Sequence, residues 1–427
     1  MNSRLIPILM TVILAVLLAG CYDASEVDDI THVLAMGIDR GVSDKWRLTV
    51  QFSTIQDSPG GGEGGDGGGG GSGQSQGDYT HMTVDAPSFF AGLDMLNSSI
   101  PRELSFTHLG LIAISEDLAR EGLMADFIAP LIRYKQIRGS TPLMVIKGSA
   151  LDFIRENKPY IGTVLSKAMQ ISTRASMNIG FFGHTTLGDF YSDLKSTYRQ
   201  PVVPIGALND FKTFREDGPK WGDKYKDEGE YLAGQLPRYG VRKIEYWGTA
   251  LFSGEKMLTE LNGTETRALL MLRGEFKRGF FTVQDPKKPE LIIPLDIRPK
   301  GKPKVRMSFK DGIPNIDITV PLKGTILAIQ SGLHYEQDPL LSLLEKTFEK
   351  ETKSEIDQLI NKCKGLNLDV FKFGDVGARY FATIQEWEKY NWNSKFKDAK
   401  INTQVEFVIQ RTGTRTKTSP IPNRQEE

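Results

Sequence analysis

Apolar positions along the chain recur with a period of two in some stretches and near 3.6 in others, so strands and helices are expected side by side. Residues 46–55 alternate, with Leu48, Val50 and Phe52 on one face and Arg47, Thr49 and Gln51 on the other, which predicts a half-buried strand. A short strand pattern resumes over 80–84. Ser88 is placed to cap a helix carrying Phe89, Leu93 and Leu96. The apolar run 109–114, closed by Ser115, Glu116 and Asp117, has the length of a strand and reads as a central one. Helices are expected over 118–122, 124–133 and 150–156, with a strand over 142–146 between the last two.

A boundary is placed near 201–204, ahead of the polar connection 210–234, which is rich in Gly, Lys and Asp. A middle unit with strand candidates at 247–252 and 268–272 ends in the Pro- and Lys-rich stretch 285–303. Then Val305, Met307 and Phe309 alternate, the turn pair Asp311-Gly312 follows, and Ile316, Ile318, Val320 and Leu322 alternate again, as in an antiparallel hairpin. One apolar stripe from Leu340 to Cys363 predicts a helix over 338–364 that Gly365 is placed to end. A last strand is expected over 401–409, making this unit an antiparallel sheet with a helix packed on it.

The ends and the linkers change the picture. Arg4 precedes an apolar run from Leu5 to Leu18 that is about 14 residues long and contains Pro7, whereas a spanning helix needs about 20. The run ends in Leu18-Ala19-Gly20-Cys21, a lipobox, so residues 1–20 read as a lipoprotein signal peptide cut between Gly20 and Cys21. Cys21 is the expected lipid attachment site; two acyl chains hold a protein stably to a bilayer, where one does so only marginally. Residues 58–77 hold twelve glycines in twenty positions, with mostly polar residues between them, and read as a loop. Gly60, Gly62 and Gly65 there match the spacing of a dinucleotide-binding motif, but no helix follows and nearly every neighbour is also glycine. The expected organisation is an N-terminal α+β domain over 21–205, a middle domain over 206–300, a C-terminal domain over 301–412 and a flexible tail over 413–427. The fold class is α+β, multi-domain, with mixed and antiparallel sheets and packed helices.

Composition narrows function mainly by exclusion. Lys plus Arg and Asp plus Glu are 53 each, so no basic footprint for nucleic acid is present. With Cys21 acylated, Cys363 is the only other cysteine, which excludes an intrachain disulfide and reads as a buried apolar residue on its helix. His32, His81, His108, His184 and His334 have no metal-like spacing, so no metal or cofactor is expected. His108 precedes an apolar strand and reads as structural rather than as a general base. No nucleophile elbow, phosphate-binding loop or kinase signature occurs, and no catalytic residue is assigned.

Several short motifs nevertheless occur in a recognisable order. Cys21-Tyr22-Asp23 with Glu26 and Ile30, then Ala35-Met36-Gly37-Ile38-Asp39, resemble the mature start of the Ger(x)C lipoproteins, the C-subunit type of spore germination proteins in endospore-forming Firmicutes. Leu104-Ser105-Phe106-Thr107-His108-Leu109, Glu116, the run Leu118-Ala119-Arg120-Glu121-Gly122-Leu123, and Ile137-Arg138 are similar to that family's N-terminal domain. Gly248-Thr249-Ala250-Leu251-Phe252, Lys256, Leu258, Leu261 and Glu265-Thr266 resemble its C-terminal region. Asp369, Phe371, Phe373-Gly374, Arg379, Trp392 and Phe396 resemble its last segment. Tyr22 stands where the family usually has Trp, and the first loop is longer than usual. The resemblance implies a non-enzymatic subunit of a nutrient germinant receptor, built of three small α+β domains. It further implies attachment to the outer face of the spore inner membrane beside integral A-type and B-type subunits. The competing class, a solute-binding lipoprotein of a membrane transporter, calls for two lobes of alternating βαβ units, a regularity that this chain lacks.

Overall fold

The computed structural model describes residues 30–53, 79–158, 178–216 and 228–411. The signal peptide, Gly20, Cys21, the Gly-rich loop and the tail 413–427 therefore lie outside the described residues. The strands gather into two sheets. The first holds β1 (Ile30–Arg40), β2 (Trp46–Ser53), β3 (Tyr79–Ala86), β4 (Glu103–Ser105), β5 (Ile112–Ser115), β6 (Leu143–Lys147), β7 (Val202–Leu208), β8 (Ile244–Ser253) and β9 (Lys256–Leu261). Its order is β3-β2-β1-β5-β6-β7-β8-β9, with β4 paired to the start of β1. The four middle strands β1, β5, β6 and β7 run parallel, and β2, β3, β8 and β9 continue antiparallel on either side.

Parallel strands need crossovers, and here helices supply them on both faces. On one face α1 (Phe89–Asn97), α2 (Glu116–Glu121), α3 (Met124–Arg133) and α5 (Leu187–Lys195) close the larger core around Ile38, Leu48, Phe127 and Phe190. On the other, α4 (Ala150–Glu156) packs Phe153 and Ile154 against Ala113 and Met144. This second cover corrects the expectation of a half-buried strand at 46–55. Thr49 and Gln51 are buried, and the Gln51 amide donates to the carbonyls of Ile154 (3.0 Å) and Asn157 (2.9 Å). Ser88 does cap α1, its hydroxyl accepting from Ala91 N at 3.2 Å. The strand read at 109–114 is β5, and it is central as expected.

The boundary expected near 201–204 falls at the start of β7, whose residues are buried in mid-sheet. The strands of the middle unit 206–300 are likewise shared: β8 and β9 extend the first sheet, while β10 (Gly279–Gln284) and β11 (Ile292–Pro299) open the second. Residues 268–272, expected as a strand, belong to the helix α6 (Gly263–Arg273). A continuous apolar run does not separate a buried strand from a buried helix, and α6 is buried on most of its circumference.

The second sheet adds β12 (Lys304–Lys310), β13 (Ile313–Ile326) and β14 (Lys400–Arg411). Asp311 and Gly312 both have positive φ, 54° and 74°, the backbone that a tight two-residue hairpin requires. The long helix α7 (Leu340–Gly365) lays Leu344, Phe348, Ile356, Leu359, Ile360 and Cys363 on the sheet. Gly365 is its last residue, but the left-handed turn that stops the chain falls at Asn367, φ 54°. The last strand corrects a further expectation: β14 pairs with β13 in parallel, because α7 and the short helices after it form a crossover that returns the chain in the same direction.

Among the described residues β14 pairs only with β13, which leaves its other edge open. Two side chains of α7 cover it: Phe407 N–H donates to Glu349 Oε1 (2.8 Å) and Ile409 N–H to Glu345 Oε1 (2.7 Å). An edge with free N–H groups templates pairing with another chain. The double substitution Glu345→Ala and Glu349→Ala should cost about 1–3 kcal/mol. It should also add a concentration-dependent larger species in sedimentation velocity that the unsubstituted chain lacks.

Candidate functional site

The residues that the sequence singled out do not assemble into a reactive centre. Among the described residues no group of three or more His, Cys, Asp or Glu side chains could hold a metal ion. His32 and His108 touch, with Nδ1 atoms 3.2 Å apart, and a polar chain runs on from the exposed His108 through Thr107 to the buried Ser105. Burial and the neighbouring His108 both hold the His32 imidazole below its ordinary pKa. Cys363 is fully buried, and burial pushes its thiol up to about 12, so it packs as an apolar group.

What the motifs do assemble is a junction between the two sheets, with α6 at its centre. The helix starts in a capping box: the Asn262 side chain accepts from Glu265 N (2.8 Å), and Glu265 accepts from Asn262 N (3.0 Å). Gly263 has no room for a side chain, since a Cβ there would stand 2.6 Å from Phe181 and 2.8 Å from Trp247. Thr266 donates to Thr249 of β8 at 3.2 Å, tying α6 to the first sheet. On the other side Lys362 of α7 donates to both oxygens of Glu265 (2.8 and 2.9 Å) and to the carbonyl of Glu260 (3.3 Å). Glu260 in turn pairs with Lys147 of β6 at 2.7 Å. A row of alternating charge thus runs from the first sheet to the long helix of the second.

Arg267 is the buried centre of this junction. Its guanidinium lies 3.6 Å from the ring of Phe181, in the first unit, and 4.3 Å from that of Phe281 in β10. Its Nη1 donates to Glu228 Oε1 (3.1 Å) and its Nη2 to the carbonyl of Ile179 (3.3 Å). A planar cation between two ring faces is a stack that only Arg makes.

A second joint lies at the helices α8 (Phe373–Gly377), α9 (Ile384–Tyr390) and α10 (Trp392–Lys395). Arg199 of the first unit donates to Asp375 (2.7 Å), and Asn393 donates to the carbonyl of Thr197 (2.8 Å). Behind them Asp369 is enclosed by donors: Gly374 N (2.7 Å), Trp392 Nε1 (2.8 Å), Phe371 N (3.1 Å) and Phe373 N (3.2 Å). Between the two units lies a cleft of about 180 Å³ whose charged lining includes Asp193, Arg199, Arg273 and Lys372. Burial raises the pKa of Asp193 against the pull of those cations.

The motifs quoted from the sequence therefore mark nodes of the scaffold. Asp39 accepts from the first N–H groups of α4, Ala150 (2.7 Å) and Leu151 (2.8 Å), and so clamps that helix to the end of β1. Glu265 and Thr266 fix α6; Asp369, Gly374 and Trp392 fix the last helices. Arg267 and Lys362 were missed by sequence reading. The one local signal for them was the Asn262-x-x-Glu265 box, which starts a helix where a strand was expected three residues on.

Comparison with known proteins agrees with this layout. Residues 23–208 match the profile described as the spore germination protein N-terminal domain, and residues 247–413 that described as spore germination B3/GerAC like, C-terminal. The chain is 22% identical over 422 residues to the putative spore germination protein YfkR of Bacillus subtilis (strain 168), covering 98% of this chain and 99% of that one. It is 24% identical over 410 residues to spore germination protein KC of the same organism, covering 94% of each. It is 19% identical over 412 residues to spore germination protein GerQC of Bacillus cereus, covering 95% and 98%. The crystal structure of the GerBC protein superposes with a TM-score of 0.51 at 17% identity, covering 88% of this chain and 96% of that one, a likeness of α+β fold. With both profiles in chain order and full-length relatives among the spore germination proteins, the chain belongs to the Ger(x)C family.

Proposed function

We propose that this protein is the lipid-anchored C subunit of a nutrient germinant receptor. In this reading the chain is cut between Gly20 and Cys21, acylated on Cys21, and held on the outer face of the spore inner membrane beside integral A-type and B-type subunits. It carries out no reaction; its contribution is a folded body positioned at the membrane. The observation that carries the reading is the end-to-end similarity to spore germination proteins, over 94% of this chain for protein KC and 95% for GerQC. The lipobox supports the anchor, and no helix among the described residues is long and apolar enough to cross a membrane. A diacyl anchor is then the attachment that the energetics favour, because two chains give stable binding where one does not.

Deleting the gene should leave sporulation intact and slow or abolish germination, followed as loss of optical density, with at least one nutrient. Normal germination with every nutrient, in a strain also lacking similar genes, would reject the receptor role. Cys21→Ala should block acylation and signal removal at this site. Mass spectrometry of the membrane-extracted protein then separates the readings: an unmodified Cys21 thiol in the wild type rejects the anchor.

A further inference from the structure

The turn that joins β11 to β12 carries charge of one sign. Between Asp296 and Asp311 the chain holds Arg298, Lys300, Lys302, Lys304, Arg306 and Lys310 and no acid, in a protein whose formal net charge is zero. All six are exposed. The turn is also firmly held: Pro299 pairs with Leu322 and Lys304 with Thr319 of β13, and Lys300 N–H donates to the Pro321 carbonyl at 2.9 Å. Pro299 and Pro303 fix the backbone on either side of Lys300 and Lys302. Its inner side rests on the end of α6, where a Cβ on Gly274 would stand 3.0 Å from Pro303 Cδ.

Between this turn, the end of α6 and β13 lies a cavity of about 250 Å³. Lys277, Lys300 and Lys302 line it beside the apolar side chains of Met271, Phe276 and Val320, and among the described residues no acid does. The lysines are not needed to cap α6, because backbone groups already do so. Leu270 O accepts from Glu275 N (2.8 Å) and Phe276 N (3.0 Å), and Met271 O accepts from Gly274 N (3.1 Å). Of the acids elsewhere in the sheet, Asp296 is taken by Arg278 (2.9 Å) and Arg298 (3.4 Å), and Asp317 stands opposite Arg306. The turn is left with a positive field over an apolar floor, and like charges held together in this way favour an anionic partner.

We propose that this turn and its cavity dock on the anionic phospholipid headgroups of the bilayer that carries the protein, with phosphates at Lys277, Lys300 and Lys302. Lys meets phosphate as a point charge without a set angle, whereas a planar carboxylate on a protein partner calls for the fork of Arg. The cations are spread along a turn and a strand rather than focused on one point, which suits a plane of headgroups. Their long apolar stems can lie along the cavity wall while the ammonium groups reach the phosphates. Basic clusters beside a membrane bind anionic leaflets through charges of this kind. The occupant rests on the membrane location proposed above: the chain from Cys21 to Ile30 spans at most about 30 Å, so an anchor there holds the body within reach of the bilayer.

The test dispenses with the anchor. The chain from residue 21 onward, carrying Cys21→Ala so that it cannot be acylated, is sedimented with vesicles of phosphatidylcholine alone and of phosphatidylcholine with phosphatidylglycerol. It should bind the anionic vesicles only, and less as added salt shortens the Debye length. Lys277→Ala, Lys300→Ala and Lys302→Ala together should weaken binding roughly 100-fold, at about fivefold for each lysine that meets the surface. Lys158→Ala, Lys256→Ala and Lys389→Ala together remove the same charge elsewhere and should bind as the parent does. Circular dichroism confirms that both triple variants are folded. Equal binding to the two kinds of vesicle, binding to neither, or an equal loss in both triple variants overturns the proposal. Calorimetric uptake of glycerol phosphate without vesicle binding would overturn it too, assigning the cavity to a soluble phosphate. None of these outcomes bears on the anchor itself, which is tested by mass spectrometry at Cys21.

Discussion

Asp369→Ala should unfold the C-terminal unit or leave it marginal at room temperature. The carboxylate is buried to 1% exposure and accepts four hydrogen bonds, three from backbone and one from the Trp392 indole. An alanine leaves all four donors without an acceptor, in a place that water does not reach. At about 1–3 kcal/mol for each stranded group, the loss is at least about 4 kcal/mol, against a total stability of about 5–15 kcal/mol for a typical domain. Denaturant unfolding followed by circular dichroism measures it. A loss under about 1 kcal/mol would show that the four bonds do not hold these helices.

The same residue carries a pH signature. Burial, the larger influence, pushes the Asp369 carboxyl up to about 6, against the pull of its four N–H donors. In the unfolded chain it titrates near 3.9, so between about pH 4 and 6 the folded protein holds the additional proton. Stability from this group is therefore full below about pH 4 and is lost as the pH rises through about 6. A shift of about two pKa units corresponds to up to about 3 kcal/mol. Asp369→Asn does not titrate, so its penalty relative to the wild type should be larger at pH 4 than at pH 7 by up to that amount. A penalty that is the same at both pH values would mean that the carboxyl stays ionised throughout.

Arg267→Ala should cost about 3–5 kcal/mol, the range for truncating a large side chain in a packed core to alanine. About 2 kcal/mol of this is the desolvated cation between two rings. The Arg267 side chain is 5% exposed, whereas that of Glu228 is 32% exposed and can turn to water, so the empty space between Phe181 and Phe281 is the larger part of the damage. Arg267→Lys keeps the charge but not the flat stack and should fall between the two. Calorimetry should show one transition in the wild type and two separated ones in Arg267→Ala, because the variant loosens the joint more than either sheet. A single, unshifted transition would remove Arg267 from the junction.

Much of the local structure was legible in the sequence because its causes are local. Ser88, the Asp311-Gly312 turn and the apolar stripe of α7 each declare an element by chemistry within a few residues. The errors lie where tertiary contacts decide. Gln51 looks like a surface residue until α4 covers it, and residues 268–272 look like a strand until α6 proves to be enclosed between β8, β9 and α7. The direction of β14 depends on the crossover through α7, which no period within the strand itself encodes. The site was legible in another way. Asp39, Glu265, Thr266, Asp369 and Trp392 stood out by resemblance, and the structure gives each a hydrogen-bonding duty. Arg267 and Lys362, which join distant segments, were signalled only indirectly, through the Asn262-x-x-Glu265 box that starts α6.

The burial of α6 has a mechanical consequence. A slack tether between the two sheets would let each swing on its own and would absorb any push in bending. A helix packed on β8 and β9 at one side and on α7 at the other does the opposite, so it fixes the orientation of one sheet against the other.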